Sequence, residues 1–473
     1  MISANDSYAE KIIDELCKTR CLTRIGKASA MKDLSELSVD DLNAAEDEAE
    51  DDNGFVFTYV GVIVAGTVVF MCYPKYYRDE KPDGKQMKRI FEVIGRYNSD
   101  KKQDIRHLSG DQPDGSSNLL SIILFLLKDY YDYGIFNKEE EIVEINGDGS
   151  ILWDKTVNES VPLFSGGRPY YTEIYDRREL NNEEELITRL HRVILDECSD
   201  YLIKLGLLDL LSMEELHLSD ETRELLGDDD ALSEMILEEL KLQFNTRNQI
   251  LLRTMYDYIL HTHAERMEEN VSFYGTSAFY DVWEKVCAEV LNDCLHKRIS
   301  DLPYGSLPYD RSYNEKKLIE LIEKPVWRDH TENGTGLEAG DTLIPDMISM
   351  EIADGQRYFV ISDAKYYTIE LDESRGILSG QPGIESITKQ YLYQLAYRDF
   401  LRFNRVEHIG NCFLMPSKEE HIVCKGFVSL SMFHQISVNP ALVPIQVCLL
   451  PADKMFDLYL GRKHISVREL GLH

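Results

Sequence analysis

The sequence predicts a multidomain α/β protein: an α+β module first, a helical middle, and a last part in which strands and helices alternate. Three observations carry that expectation. The chain has 473 residues, more than one hydrophobic core normally serves. Two stretches rich in β-branched and aromatic residues stand far apart, "FVFTYVGVIVAGTVVFMCYPKYY" (55–77) and "MISMEIADGQRYFVISDAKYY" (347–367). Between them, from Glu183 to Glu268, apolar residues recur at three- and four-residue spacing, the period of a helix face.

Residues 1–45 read as short helices, and "EDEAEDD" (46–52) as an exposed acidic linker, so 1–53 forms a first segment. Residues 54–180 form the α+β module. Its first run is a hairpin broken at Ala65-Gly66. "SSNLLSIILFLLKDYY" (116–131) is a helix, while "INGDGSILWDKTV" (145–157) and "GGRPYYTEIYD" (166–176) are strand-like. The helical region is 181–270. Its first helix carries Leu186, Leu190 and Ile194 on one stripe, with His191 as a packed or surface residue. A second long helix covers 229–266, where His261 and His263 have the wrong spacing for one face and are not read as a metal site. Residues 271–473 form the last domain.

Composition narrows the partners. The net charge is −33, and residues 271–473 hold 28 acidic and 21 basic side chains, so the first 270 carry −26 and the rest −7. Most of the chain repels a phosphate backbone. From Tyr391 onward the balance turns slightly positive, with Arg398, Arg402, Arg405, Lys463 and Arg468. Any nucleic-acid chemistry is therefore expected in the last 200 residues. No apolar run reaches transmembrane length, and the start "MISANDSYAEKIIDELCKTR" is amphipathic and acidic rather than a leader, which predicts a cytoplasmic protein with no membrane partner. Nine scattered cysteines, with no second Cys/His pair near Cys17 and Cys21, predict reduced thiols and no zinc site. No G-x-x-x-x-G-K-[ST] occurs, so no nucleotide is expected on a P-loop of this chain.

The candidate chemistry lies in "YFVISDAKYY" (358–367). Asp363 and Lys365 are two apart in an otherwise apolar strand and so project from one face. Asp354-Gly355 is a two-residue hairpin signal between alternating runs, with Pro345 tolerable at the start of the first strand. Folding that hairpin brings Asp346 towards Asp363 and Lys365. Two carboxylates and a lysine suit phosphodiester hydrolysis: carboxylates bind Mg²⁺ (or Mn²⁺), which polarises the phosphate and acidifies a bound water, and the lysine stabilises developing charge.

Pro345-Asp346 and Asp363-Ala364-Lys365 resemble the PD-(D/E)XK nuclease motif. That resemblance implies a mixed sheet flanked by helices, with the Ala364 carbonyl as a further metal ligand. It also implies an acidic ligand from the helix before the hairpin. In "SFYGTSAFYDVWEKVCAEVLNDCL" (272–295), where Phe279, Trp283, Val286 and Val290 make an apolar face, the choice is Glu284, with Glu289 second. From the helix after the hairpin, "GIESITKQYLYQLAYRDFLRF" (383–403), it implies a Gln and a Tyr that touch the phosphate and orient the lysine. Gln390 with Tyr393 and Gln394 with Tyr397 both qualify, at a spacing that departs from Q-x-x-x-Y, and Gln390 is preferred.

Together with "DGSILWDKTV", "RPYYTEIYD", "LITRLHRVILDEC" and "SFYGTSAFYDVWEKV", the motif is similar to LlaJI-type restriction endonucleases, the McrC-like nuclease subunits of McrBC-type systems, over about residues 55–460. The similarity implies an antiviral-defence nuclease that cuts duplex DNA beside a separate McrB-like AAA+ GTPase, which the acidic first 270 residues would dock. Residues 299–340 match no motif and read as an insertion. The alternatives are a RecB-like repair nuclease and a non-catalytic scaffold that stimulates a partner NTPase.

Overall fold

The computed structural model describes residues 13, 16–18, 21–25, 54–65, 68–78, 80–100, 118–137, 139–181, 185–262, 271–304, 309, 311–329, 336–434 and 437–471. The acidic linker at 46–52, most of 1–45 and His263 lie outside them.

Near the start, Leu22–Ile25 (β1) is a strand paired antiparallel with Gly54–Phe57 (β2). The helical expectation for 1–45 is corrected there, because the strand's partner is distant in sequence and no local pattern announces it. Val60–Ala65 (β3), buried throughout, and Val68–Cys72 (β4) form the expected hairpin, and β3 ends at Ala65. Gly84–Asp100 (α1) opens on a reciprocal cap, with the Gln86 amide donating to Asp83 and the Asp83 amide to the Gln86 side chain. Leu119–Tyr133 (α2) is capped by Asn118, which accepts from the Ser121 amide.

Glu139–Ile145 (β5) and Ser150–Ile151 (β6) follow, but Trp153–Glu159 (α3) is a helix where an extended piece is predicted. Its buried Thr156 accepts a 2.9 Å bond from the Tyr175 amide, a tertiary contact that overrides the local β preference. Leu163–Ser165 (β7) and Arg168–Tyr170 (β8) form a hairpin, and Tyr175–Asn181 (β9) pairs with β5.

Leu186–Lys204 (α4) stops before Gly206, whose φ of 67° ends the helix although apolar periodicity continues. Arg223–Leu226 (α5), Asp229–Leu242 (α6) and Thr246–Thr262 (α7) come next. The single long helix predicted over 229–266 is thus two. Asn245 separates them by accepting from the Arg247 amide at 2.9 Å, a cap that restarts the helix.

Val271–Thr276 (β10) precedes Phe279–Val290 (α8), so the front of the stretch read as helix is a strand. Gly275 and Gly61 explain it. A Cβ on either would lie 2.2–2.3 Å from the other strand's backbone oxygen, and each has φ above 150°, so β10 and β3 approach where only glycine fits. Val326–Trp327 (β11) and Leu337–Glu338 (β12) pair within the unassigned 299–340 segment.

The rest is the mixed α/β part: Met347–Ala353 (β13), Gln356–Ala364 (β14), Glu370–Asp372 (β15), Ile377–Ser379 (β16), Ile384–Phe403 (α9), His408–Ser417 (β17), Val423–Val428 (β18), Ser431–His434 (α10), Ile445–Pro451 (β19) and Ala452–Leu460 (α11). Five of these strands make one sheet in the order β13-β14-β17-β19-β18, with β14, β17 and β19 parallel and the outer strands antiparallel. A parallel step needs a crossover, and α9 supplies it between β14 and β17. Its Tyr393, Tyr397 and Phe400 pack with Ile348, Phe359 and Ile361 of the first hairpin. Its Tyr391 joins Phe413, Met415 and Val447 of the following strands.

Two compact units result. One takes residues 1–63, 70–116 and 273–473; the other takes 64–69 and 117–272. In the second, His191 is fully buried and accepts from the Phe136 amide at 3.0 Å, so of the packed and surface readings that the sequence leaves open the packed one holds. Among the described residues no helix is long and apolar enough to cross a membrane.

Candidate active site

The hairpin β13–β14 builds the site through its turn and register. Asp354 and Gly355 both have positive φ (53° and 77°), the type I′ geometry that matches strand twist. The ladder pairs Met347 with Ser362, so one step further Asp346 stands across from Asp363. Asp346 Oδ2 accepts from the Ala364 amide at 2.9 Å, which ties the two strand ends together. Lys365 continues β14 by donating its amide to the Leu414 carbonyl at 2.9 Å. Its Nζ lies 3.4 Å from Asp363 Oδ2, with only 17% of the lysine side chain and 10% of the aspartate side chain exposed. The pair therefore faces a sheltered site, not open solvent.

Two helices close on it. In α8, Trp283 is fully buried and its indole nitrogen donates to the same Leu414 carbonyl at 3.1 Å. Phe279, Trp283, Val286 and Val290 are all buried, as the predicted apolar face requires. Beyond α8, Asp293 accepts from the Ile348 amide at 2.9 Å and the Cys294 amide donates to the Ile348 carbonyl at 2.7 Å, pinning the helix end to β13. Glu284 is half-buried in this docked helix and acts electrostatically on Asp346. From α9, the Tyr393 hydroxyl donates to the Ile344 carbonyl at 2.7 Å, two residues before Asp346.

Charge concentrates here. Asp346 is held well above the usual carboxylate range, first by burial, then by the charge and hydrogen bond of Asp363 and the charge of Glu284, with Lys365 opposing. Burial, then the charges of Asp363 and Asp346, pushes the Tyr393 phenol up. Burial and the Asp346 and Glu284 charges likewise raise the Cys287 thiol. Three carboxylates thus act on one locus against one lysine, an arrangement that favours binding a cation.

Among the described residues no three His, Cys, Asp or Glu side chains are arranged to cage an ion. The donor set fits Mg²⁺ rather than a fully caged metal, because Mg²⁺ commonly keeps several waters and takes one or two carboxylates. Asp346 and Asp363 could supply those two, with Glu284 and the Ala364 carbonyl as the remaining candidate oxygens.

The other sequence candidates separate. Glu289 is engaged by Arg96 at 2.6 Å and Lys285 at 3.1 Å. Gln394 bonds the Val443 backbone in both directions, and Tyr397 donates to the Leu318 carbonyl, so that pair is structural. Gln390 is fully buried, and its side-chain amide bonds to nothing among the described residues, while Tyr393, one turn on, reaches the strand end that carries Asp346. Sequence reasoning did not single out Trp283 as the residue that locks α8 to β17. A tryptophan on an apolar stripe reads as core, and only the fold reveals the shared Leu414 carbonyl.

The model of the family described as LlaJI restriction endonuclease matches residues 59–448. The chain is also 29% identical over 434 residues to a Bacillus subtilis (strain 168) protein, covering 89% of this chain and 84% of that one. The relative is called type II restriction enzyme BsuMI component YdjA.

Proposed function

This chain belongs to the LlaJI restriction endonuclease family, and from that membership we propose that it is a DNA-cutting subunit of a restriction system, a Mg²⁺-dependent nuclease with a PD-(D/E)XK core. The observation that carries the proposal is the hairpin register, which sets Asp346 across from Asp363 with Lys365 3.4 Å from the latter. Asp346 and Asp363 would hold the ion, and Glu284 and the Ala364 carbonyl are the further oxygens proposed to complete its shell. An ion held there would polarise a phosphate oxygen and acidify a water.

The chain's own groups do the rest. The Lys365 ammonium, 3.4 Å from Asp363, would stand beside the attacking water and offset charge that develops on the phosphate. Asp363 fixes the lysine by ion pairing. Tyr393 fixes the backbone leading into Asp346, and the Trp283 bond to Leu414 holds α8 so that Glu284 acts on the site. Gln390 is the supporting residue proposed from α9.

A second subunit is part of this reading. The first 270 residues carry −26 and resist DNA, so a partner that holds the DNA would supply what the chain lacks. We take that partner to be a separate McrB-like AAA+ GTPase, docked through the residues before 271. The test is reconstitution with the GTPase subunit, Mg²⁺ and duplex DNA. Double-strand cuts should need both GTP and partner. Rapid, sequence-specific cutting by the isolated chain would overturn the two-subunit reading.

A further inference from the structure

The helix that carries Glu284, α8, also lines a basic cleft of about 520 Å³ together with neighbouring elements, through Arg96, Lys285, Glu289, Arg462, Lys463 and His464. Four permanent cations face one carboxylate there, on a chain whose net charge is −33. We propose that this cleft binds backbone phosphates of the DNA strand entering the cutting site. The assignment rests on the nuclease reading above.

The cleft is built, not a chance meeting of flexible lysines. Arg96 of α1 forms its floor, with Nη2 2.6 Å from Glu289, Nη1 donating to the Tyr459 carbonyl, and its guanidinium 3.9 Å above the Tyr459 ring. Lys285 reaches Glu289 at 3.1 Å from one turn earlier on α8. Glu289 is thereby shared between two cations and has little charge left to offset others.

Arg462 and Lys463 sit on the turn after α11, where neither pairs with an acid among the described residues. The turn itself is locked. The amides of Gly461, Arg462 and Lys463 donate to the Asp457, Tyr459 and Leu458 carbonyls, and the Ile465 amide donates to Val290 at 3.0 Å. The His464 ring joins the Glu289 carbonyl at 2.7 Å, which fastens the turn to α8. Two exposed cations are thus presented by a fixed backbone, Arg462 with φ of 51°.

Position favours a DNA strand over a free anion. Lys285 is the next residue to Glu284, and Glu289 lies about 7.5 Å along the axis from Glu284 at 1.5 Å rise per residue. One strand carries a phosphate per about 3.4 Å of duplex axis. That axial offset is about two phosphate spacings of one strand, so the helix that carries Glu284 also carries one wall of the cleft, a place to grip the strand being cut.

The test is fluorescence anisotropy of a labelled duplex with the full chain in EDTA over a range of salt concentrations, comparing wild type with the double variant Arg462→Ala, Lys463→Ala. Each lost phosphate contact removes about 0.9 from the slope of log K against log salt, so the variant's slope should fall by about 1.8 and its affinity by about tenfold, alike for unrelated sequences. A control, Lys204→Ala with Lys241→Ala, removes the same charge from exposed positions elsewhere and should change the slope far less. Equal losses in both double variants, an unchanged slope in the cleft variant, or no duplex binding by wild type at low salt would each overturn the proposal. So would inorganic phosphate binding that Arg462→Ala, Lys463→Ala abolishes while duplex binding stays intact. Asp363→Ala should keep the wild-type slope. If wild type fails to cut yet the cleft variant loses its slope, the nuclease reading falls and the phosphate site stands.

Discussion

Replacing Asp346 by Asn separates holding the fold from holding a cation. In metal-free protein Asp346 meets the charges of Asp363 and Glu284, with Lys365 as the one opposing charge. Two like charges about 4 Å apart repel by about 4 kcal/mol at an effective dielectric of about 20. Lys365, 3.4 Å from Asp363, offsets part of this, and burial together with the remaining repulsion raises the Asp346 carboxyl above its ordinary range. A carboxyl raised on folding stabilises the protein below its unfolded value of 3.8, and that contribution is lost as pH rises through the folded value. The ionised form of Asp346 therefore weakens the apo fold relative to the protonated form. Asparagine keeps the shape and the oxygen that accepts from the Ala364 amide, without the charge. Urea unfolding in EDTA should find Asp346→Asn as stable as wild type, or more stable by about 1–2 kcal/mol. Mg²⁺ at about 100 times its Kd should then stabilise wild type by about 2.7 kcal/mol and the variant far less. A variant weaker than wild type in EDTA by more than about 1 kcal/mol, beside a wild type indifferent to Mg²⁺, would make these carboxylates structural and refute the reasoning.

Lys365→Ala and Asp363→Ala should each lower cleavage by roughly 10³ or more while circular dichroism stays native; wild-type rates in either would misplace the site. Ca²⁺ should bind by calorimetry without supporting cutting, because it is larger and more loosely coordinated than Mg²⁺; cleavage in Ca²⁺ at the Mg²⁺ rate would contradict this. His191, lowered by burial and then by the Arg247 charge from 6.5 to about 3, stays neutral in the fold while the unfolded chain takes up a proton. Its contribution to stability should fall by about 2 kcal/mol from about pH 7 to pH 5, and His191→Gln should flatten that part of the urea-midpoint profile; an unchanged slope would exclude a buried neutral histidine.

The central hairpin was legible because its turn chemistry is local. Asp354-Gly355 dictates the two-residue turn, the turn dictates the register, and the register sets Asp346 across from Asp363. The helix over 384–403 was equally legible, starting at Ile384 and ending at Phe403. What escaped depends on distant partners. Leu22–Ile25 becomes a strand only beside Gly54–Phe57, and residues 271–276 become one only where Gly61 and Gly275 permit contact. Helix periodicity runs through Gln243–Asn245, so the break there required seeing Asn245 cap the next turn. Within the site, two Gln/Tyr pairs looked alike in sequence. The structure separates them by what each hydroxyl reaches, Ile344 for Tyr393 and Leu318 for Tyr397. The basic cleft is drawn from α1, α8 and the turn after α11, three places that no spacing rule connects.

The most direct measurement is scission of covalently closed circular duplex DNA by the purified chain with its GTPase partner, GTP and Mg²⁺, run beside Asp363→Ala. Linear product from wild type, absent in the variant and in EDTA, is the predicted result. Intact circles from wild type under every divalent metal, or equal cutting by Asp363→Ala, would contradict the claim that this chain carries the cutting site.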